Sequence, residues 1–217
     1  MDHINVIYIL YVSIFVPILL MALLVEKKAR FPISFMLIGI FVSLFASEVN
    51  SLLANSLSMD RYSVTVIVTP VSEEILKMLP LLGYALMISD KKEKLFTASM
   101  AIGVGFAVLE NAHSLLTAPR FDMLDGVIRA FGSGLMHGMC TLLVGVGICF
   151  VKKKSKLFAV GTFGLLSTAI VYHGIYNMLI QSDYSIVGAL LPIATYIPFF
   201  IWRLRIKQRQ ETNGAKK

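Results

Sequence analysis

Seven runs of this chain, at about 4–25, 33–57, 64–88, 95–117, 125–151, 157–181 and 184–202, are almost wholly apolar. A helix rises about 1.5 Å per residue, so each run is long enough to cross a hydrocarbon core of roughly 30 Å. Composition agrees: 57% of the residues are hydrophobic and 15% charged, against roughly 25% charged in soluble domains. The mean hydropathy is +0.77. The expectation is an all-α polytopic membrane protein of about seven transmembrane helices. They form one domain over residues 1–207, followed by a disordered basic cytoplasmic tail at 208–217. No linker, low-complexity segment or convincing internal repeat interrupts the pattern.

The first run has no basic region ahead of it and the cluster Glu26-Lys27-Lys28-Ala29-Arg30 behind it, so it reads as a retained helix and not as a cleavable signal peptide. Alternate loops carry Lys27, Lys28 and Arg30, then Lys91, Lys92 and Lys94, then Lys152, Lys153, Lys154 and Lys156, then the basic tail from Arg203: sixteen cations on one side. The opposite loops offer Arg61 and Arg120. The positive-inside rule then puts the N-terminus outside and the C-terminus in the cytoplasm of a multi-pass plasma-membrane protein. The net charge of +7 is accounted for by loops facing anionic lipid, without nucleic acid as a partner. Cys140 and Cys149 share one run and cannot bridge along a single helix, so both are expected to be buried free thiols.

Against this background, residues 71–80, VSEEILKMLP, place two adjacent glutamates and a lysine inside an apolar run. The ionisable groups within the runs are Glu48, Glu73, Glu74, Lys77, Glu110, His113, Arg129, His137 and His173, with Asn111 and Asn177 beside them. A charge at the centre of a spanning helix costs about 2.5–3.5 kcal/mol, so such groups normally face a cavity and mark function. By helix rise, Glu73 lies roughly 14 Å and Glu110 roughly 10 Å below the outer surface, with His137 and His173 roughly 18 and 12 Å down. Four helices thus bring acids and imidazoles to the outer half of the bilayer. The i,i+4 pairs Glu73/Lys77, Phe106/Glu110 and His173/Asn177 each share a helix face. Pro70 and Pro80 displace the carbonyls of Val66 and Leu76 from regular bonding, and Gly132, Gly134 and Gly138 around His137 allow a neighbouring helix to approach. Glu48 and His113 read as packing or interfacial groups, and Arg129 as an outer-end or orienting cation.

Glu73-Glu74-Ile75-Leu76-Lys77 as EExxK, Phe106 to Asn111 as FxxxEN, Arg129-Ala130 followed by His137, and His173-Gly174-Ile175-Tyr176-Asn177 together resemble the PrsW-type intramembrane proteases. The wider clan includes the CAAX prenyl endopeptidases and the bacteriocin-immunity-type proteins. From that branch the chain departs at Lys77, one position before the expected arginine, and at Glu110, in place of a histidine. Asn177 stands where PrsW relatives are expected to carry aspartate. The resemblance implies a small bacterial membrane protein that cuts a single-span substrate, such as an anti-sigma-factor-like regulator, on its extracytoplasmic side.

Peptide hydrolysis needs a base for water, an acid for the leaving amine and donors for the oxyanion. Glu73 is the expected base, with Glu74 and Lys77 fixing its charge and orientation, and the adjacent carboxylates titrate as a coupled set. Glu110 shares the water or serves as acid, His173 orients water or stabilises the oxyanion, Asn111 or Asn177 donates to it, and His137 is a proton-transfer candidate. No cofactor is favoured; the metal alternative is a divalent ion on Glu73, Glu110, His137 and His173. The other readings are an APH-1-like scaffold or immunity-type binding protein, a prenyl-protein endopeptidase, or a proton-coupled transporter, the last lacking an inverted repeat. The sequence leaves the oligomeric state open.

Topology is directly testable. In a background lacking Cys140 and Cys149, a single cysteine at position 154 is expected to resist an impermeant thiol reagent in intact cells, whereas one beside Arg61 reacts.

Overall fold

The computed structural model describes residues 3–117, 123–151 and 155–214. Arg120, Lys152, Lys153, Lys154, Lys216 and Lys217, on which part of the charge asymmetry rests, lie outside them. Every regular element among the described residues is helical. We number them α1 (His3–Leu24), α2 (Lys27–Leu57), α3 (61–87), α4 (Lys92–Thr117), α5 (Met123–Ile148), α6 (Ser155–Ile180) and α7 (Ser185–Gly214). Helix α7 runs into the stretch expected from sequence to be a disordered tail. Helices α2, α4, α5 and α6 are long and apolar enough to cross a membrane, and Tyr8–Leu24 and Ser185–Ile201 are shorter apolar stretches. Helix α3, carrying Glu73, Glu74 and Lys77, is not among them. The large apolar side chains Phe41, Phe45, Leu52, Phe131, Phe163 and Phe200 point outward, as the faces of a multi-pass membrane protein do.

Helix α5 is the centre of the bundle: 72% of its apolar span is buried, against 28% for α6. Helix α4 packs between α2 and α5, α6 and α7 close the far side of α5, and α3 lies across α2, α5 and α6. Leu81, Ala85, Leu95, Ile102, Met136, Cys140 and Ala169 form the shared apolar core. Both cysteines are buried free thiols, as expected.

Close approach at α5 follows the sequence expectation in part: the Cα of Gly138 lies in the contact with α4, whereas Gly134 faces open space. A Cβ on Gly134 would meet nothing, and one on Gly138 would meet the flexible Met100 side chain. The decisive position is Gly103 of α4, where a Cβ would collide with the carbonyl of His137 itself. On the other side of α4, a Cβ on Gly105 would collide with the backbone of Met36 in α2. Glycines on both flanks therefore let α4 sit at backbone contact with two neighbours, which sets the distance from Glu110 to His137.

Helix α3 begins at Asp60, whose carboxylate accepts the Ser63 hydroxyl at 2.6 Å and the Ser63 N–H at 3.0 Å. Those two bonds hold the Asp60 carboxyl below its usual range. Val64–Val68 then form a π turn closed by the Thr69 N–H on the Val64 carbonyl. Pro70 is the cause, since it has no N–H to give to Val66 and its ring crowds that carbonyl. Beyond Pro80 the α-helix continues unchanged to Met87, so the second proline opens no comparable turn.

Substituting Gly103 by valine is expected to lower the thermal midpoint in detergent by the equivalent of about 1–3 kcal/mol of overpacking or more. Gly134→Ala, with open space around its Cβ, is expected to melt as wild type.

Candidate active site

Lys77 and Glu74, both at 0% exposure, form an ion pair of 2.6 Å one turn apart on α3. Spacing alone allowed Glu73 as the partner; the i,i+3 pairing wins. Contacts from this pair reach two other helices. Lys77 Nζ is 2.8 Å from His137 Nδ1 on α5, and Glu74 Oε1 is 2.9 Å from His173 Nδ1 on α6. His137 Nε2 is hydrogen-bonded to Glu110 Oε2 on α4. Phe106, one turn before Glu110, places its ring 4.5 Å from Lys77 Nζ and 4.9 Å from the His137 ring. The two imidazoles meet edge to face at 4.9 Å.

These partners determine where the protons sit. Lysine can only donate, so His137 Nδ1 accepts and the ring hydrogen is on Nε2, facing Glu110. A Glu74 carboxylate beside Lys77 only accepts, so His173 donates from Nδ1 and keeps a lone pair on Nε2. That lone pair faces Glu73 Oε2 at 3.9 Å, and both atoms are buried without a hydrogen-bond partner. The other oxygen of Glu73, Oε1, accepts from Asn50 Nδ2 of α2 at 3.1 Å. Asn50 Oδ1 takes the Ser72 hydroxyl. Sequence reasoning passed over Asn50, because an asparagine in an apolar helix is not exceptional; the signal available was the spacing of Ser43, Ser47, Asn50 and Ser51 along one face of α2.

These four residues, with Thr65, Thr69, Glu73, Phe106, Glu110 and His113, line a cavity of about 330 Å³. Glu110 is 25% exposed to it. The histidines are not: His137 and His173 are fully buried behind the carboxylates, whereas depth alone put all four groups on one wet wall. The amides expected near the oxyanion are engaged with backbone. Asn177 Nδ2 donates to the Thr65 carbonyl in the π turn at 3.0 Å, and Asn111 Nδ2 to the Arg129 carbonyl at 3.3 Å. Arg129 itself donates to Ser114 Oγ at 3.0 Å. Gly174, between His173 and Asn177, allows α6 to lie against the π turn, a Cβ there coming within 2.9 Å of the Val66 carbonyl. Glu48 accepts from Tyr8 at 3.2 Å on the exposed side of α2, away from the cluster.

The family model described as PrsW family intramembrane metalloprotease matches residues 27–203. The chain belongs to this family. It is an intramembrane protease, and the match takes in α2 and hence Asn50 as well as the four motifs. No match was found among curated proteins or solved structures.

The PrsW description names a metal, and the residues fit one. Glu73, His137 and His173 each offer a ligand atom within 4.8 Å of the others. Buried, unpartnered Glu73 Oε2 and His173 Nε2 are what bare ligand atoms look like, and the Glu74 contact to His173 Nδ1 is the support a ligating imidazole normally has. His137 has both ring nitrogens engaged and would join only by exchanging a partner. Glu110, included with these residues on sequence grounds, is that partner and stands outside the trio.

Asn177→Leu keeps the side-chain size but strands the Thr65 carbonyl. It is expected to cost about 1–3 kcal/mol, read as a lower melting midpoint, with the His173 bond to Glu74 loosened as α6 shifts from the π turn.

Proposed function

We propose that this intramembrane protease hydrolyses a peptide bond of a membrane-protein substrate with water activated by Glu73. The observation that carries this is the facing pair of unpartnered acceptors, Glu73 Oε2 and His173 Nε2, 3.9 Å apart. Two acceptors at that separation suit one water donating a hydrogen to each. His173, its tautomer fixed by Glu74, orients the water; Glu73 takes its proton as oxygen attacks the carbonyl. The cavity brings the substrate to Glu73 and Glu110, and Glu110, entering the turnover protonated, gives its proton to the leaving amine while the His137 Nε2–H stabilises the carboxylate left behind. Glu73 passes the proton taken from water to Glu110 after the product leaves, so each turnover consumes one water and no net proton. Lys77 keeps Glu74 ionised and His137 in the tautomer that faces Glu110. Asn111 and Asn177 hold helices and are not assigned to the oxyanion.

The substrate class is a single-span regulatory protein, such as an anti-sigma-factor-like protein cut on its extracytoplasmic side. This rests on the family resemblance and on the outside-facing depth of the site. A second reading, favoured by the family description and by the Glu73, His137 and His173 trio, adds a divalent metal held by these three. When bound, such an ion supplies Lewis-acid polarisation of the carbonyl and eases loss of a proton from water. Glu73 and His173 are required on either reading.

The deciding experiment is cleavage of single-span reporter proteins by purified enzyme in detergent, with and without a chelator. Glu73→Gln keeps shape and hydrogen bonding but cannot take a proton from water, and is expected to lose about 10²–10⁴-fold in rate. His173→Ala should be severe, Lys77→Ala intermediate and His113→Ala mild. Folded Glu73→Gln cleaving at the wild-type rate would remove Glu73 as base; loss of wild-type activity with chelator, restored by zinc, would establish the metal reading.

A further inference from the structure

We propose that Asn50, on α2 and outside every motif, is the positioning residue that fixes the rotation of the Glu73 carboxylate, holding one oxygen so that the other faces His173. The proposal rests on Glu73 being the base. Glu73 sits among charges from several helices: Glu74 and Lys77 on its own helix, Glu110 on α4 and His173 on α6. Its carboxylate therefore needs a donor that adds no further charge. Asn50 is that donor, with Nδ2 at 3.1 Å from Oε1.

The orientation of the Asn50 amide is set by its two neighbours. Reversed, its oxygen would oppose a carboxylate oxygen; as placed, Nδ2 serves Glu73 and Oδ1 receives the Ser72 hydroxyl. Ser72 is one residue before Glu73 and also lies 3.1 Å from the Thr69 carbonyl. The amide is thus anchored to the same turn whose carboxylate it holds. With Oε1 occupied, Oε2 is the oxygen without a partner, and it is the one facing His173. Without Asn50 the carboxylate is free to turn about its Cγ–Cδ bond, and intermediate rotations take either oxygen out of line with His173 Nε2. Asn50 borders the cavity beside Glu73 and Glu110, so the bond that aims the base is also within reach of whatever enters there.

The test is the split between kcat and KM on a single-span reporter that the wild type cuts, with purified protein in detergent. Asn50→Leu, similar in size and without either hydrogen bond, is expected to lower kcat about tenfold with KM unchanged. In a Glu73→Gln background the same substitution is expected to cost nothing further, because the group it positions is already gone. Ser72→Ala, which removes only the anchor, should fall between and carries the test if Asn50→Leu does not fold. An unchanged kcat in folded Asn50→Leu, or a further full loss in the Glu73→Gln background, overturns the proposal. If Asn50→Leu lowers kcat as expected while Glu73→Gln alone cleaves at the wild-type rate, the assignment of Glu73 as base is what fails.

Discussion

The Glu74–Lys77 ion pair is the constraint on which the site depends. Both side chains are wholly enclosed, so each charge exists there only because the other does. Removing one partner of such a pair typically costs about 3–5 kcal/mol, because an uncompensated buried charge remains. The pair also bonds to both imidazoles, Lys77 to His137 and Glu74 Oε1 to His173. That fixes both tautomers and ties α3 to α5 and α6 in a single arrangement. A lysine permits this where a rigid guanidinium would not, since a compact ammonium can serve a carboxylate and a ring nitrogen in different directions while resting on the Phe106 ring.

Packing delivers the groups to that pair. Backbone contact at Gly103 brings α4 close enough for Glu110 to reach His137, and the π turn ahead of Pro70 exposes carbonyls that α6 covers with Gly174 and Asn177. Irregular backbone at membrane depth is tolerated where protein or a cavity satisfies it, and here both do. The result is a polar cluster that is dry on the histidine side and open on the carboxylate side. Such an arrangement keeps the orienting groups rigid while leaving Glu73 and Glu110 reachable.

Sequence periodicity and depth located Glu73, Glu74, Lys77, Glu110, His137 and His173 on four helices at one level, and the structure joins all six. Residue type could not say which glutamate pairs with Lys77, because both are within one turn. It could not reveal Asn50 either, since its role comes from a neighbour 23 residues away in sequence. The asparagines were legible as polar groups on the right faces, but their donors turned out to be committed to backbone carbonyls, Asn177 to Thr65 in the π turn and Asn111 to Arg129 in α5. The α5 glycines suggested close packing around His137, and Gly138 does lie in that contact; its partner Gly103 on α4 was not singled out, because an approach between two helices is limited by whichever side carries the bulk.

The sequence by itself determined that the chain is an all-helical membrane protein, that its charges inside the apolar runs are too costly to be incidental, and that their spacing places acids and imidazoles on common faces. These follow from lengths, transfer energies and the 3.6-residue period, which need no partner helix. Only the tertiary structure decided which atoms meet: Lys77 with Glu74, His137 with Glu110, Asn50 with Glu73, and the bare oxygen of Glu73 with the bare nitrogen of His173. Those choices depend on interhelical distances set by glycines and a π turn, and hydrogen bonds act only over the last few ångströms.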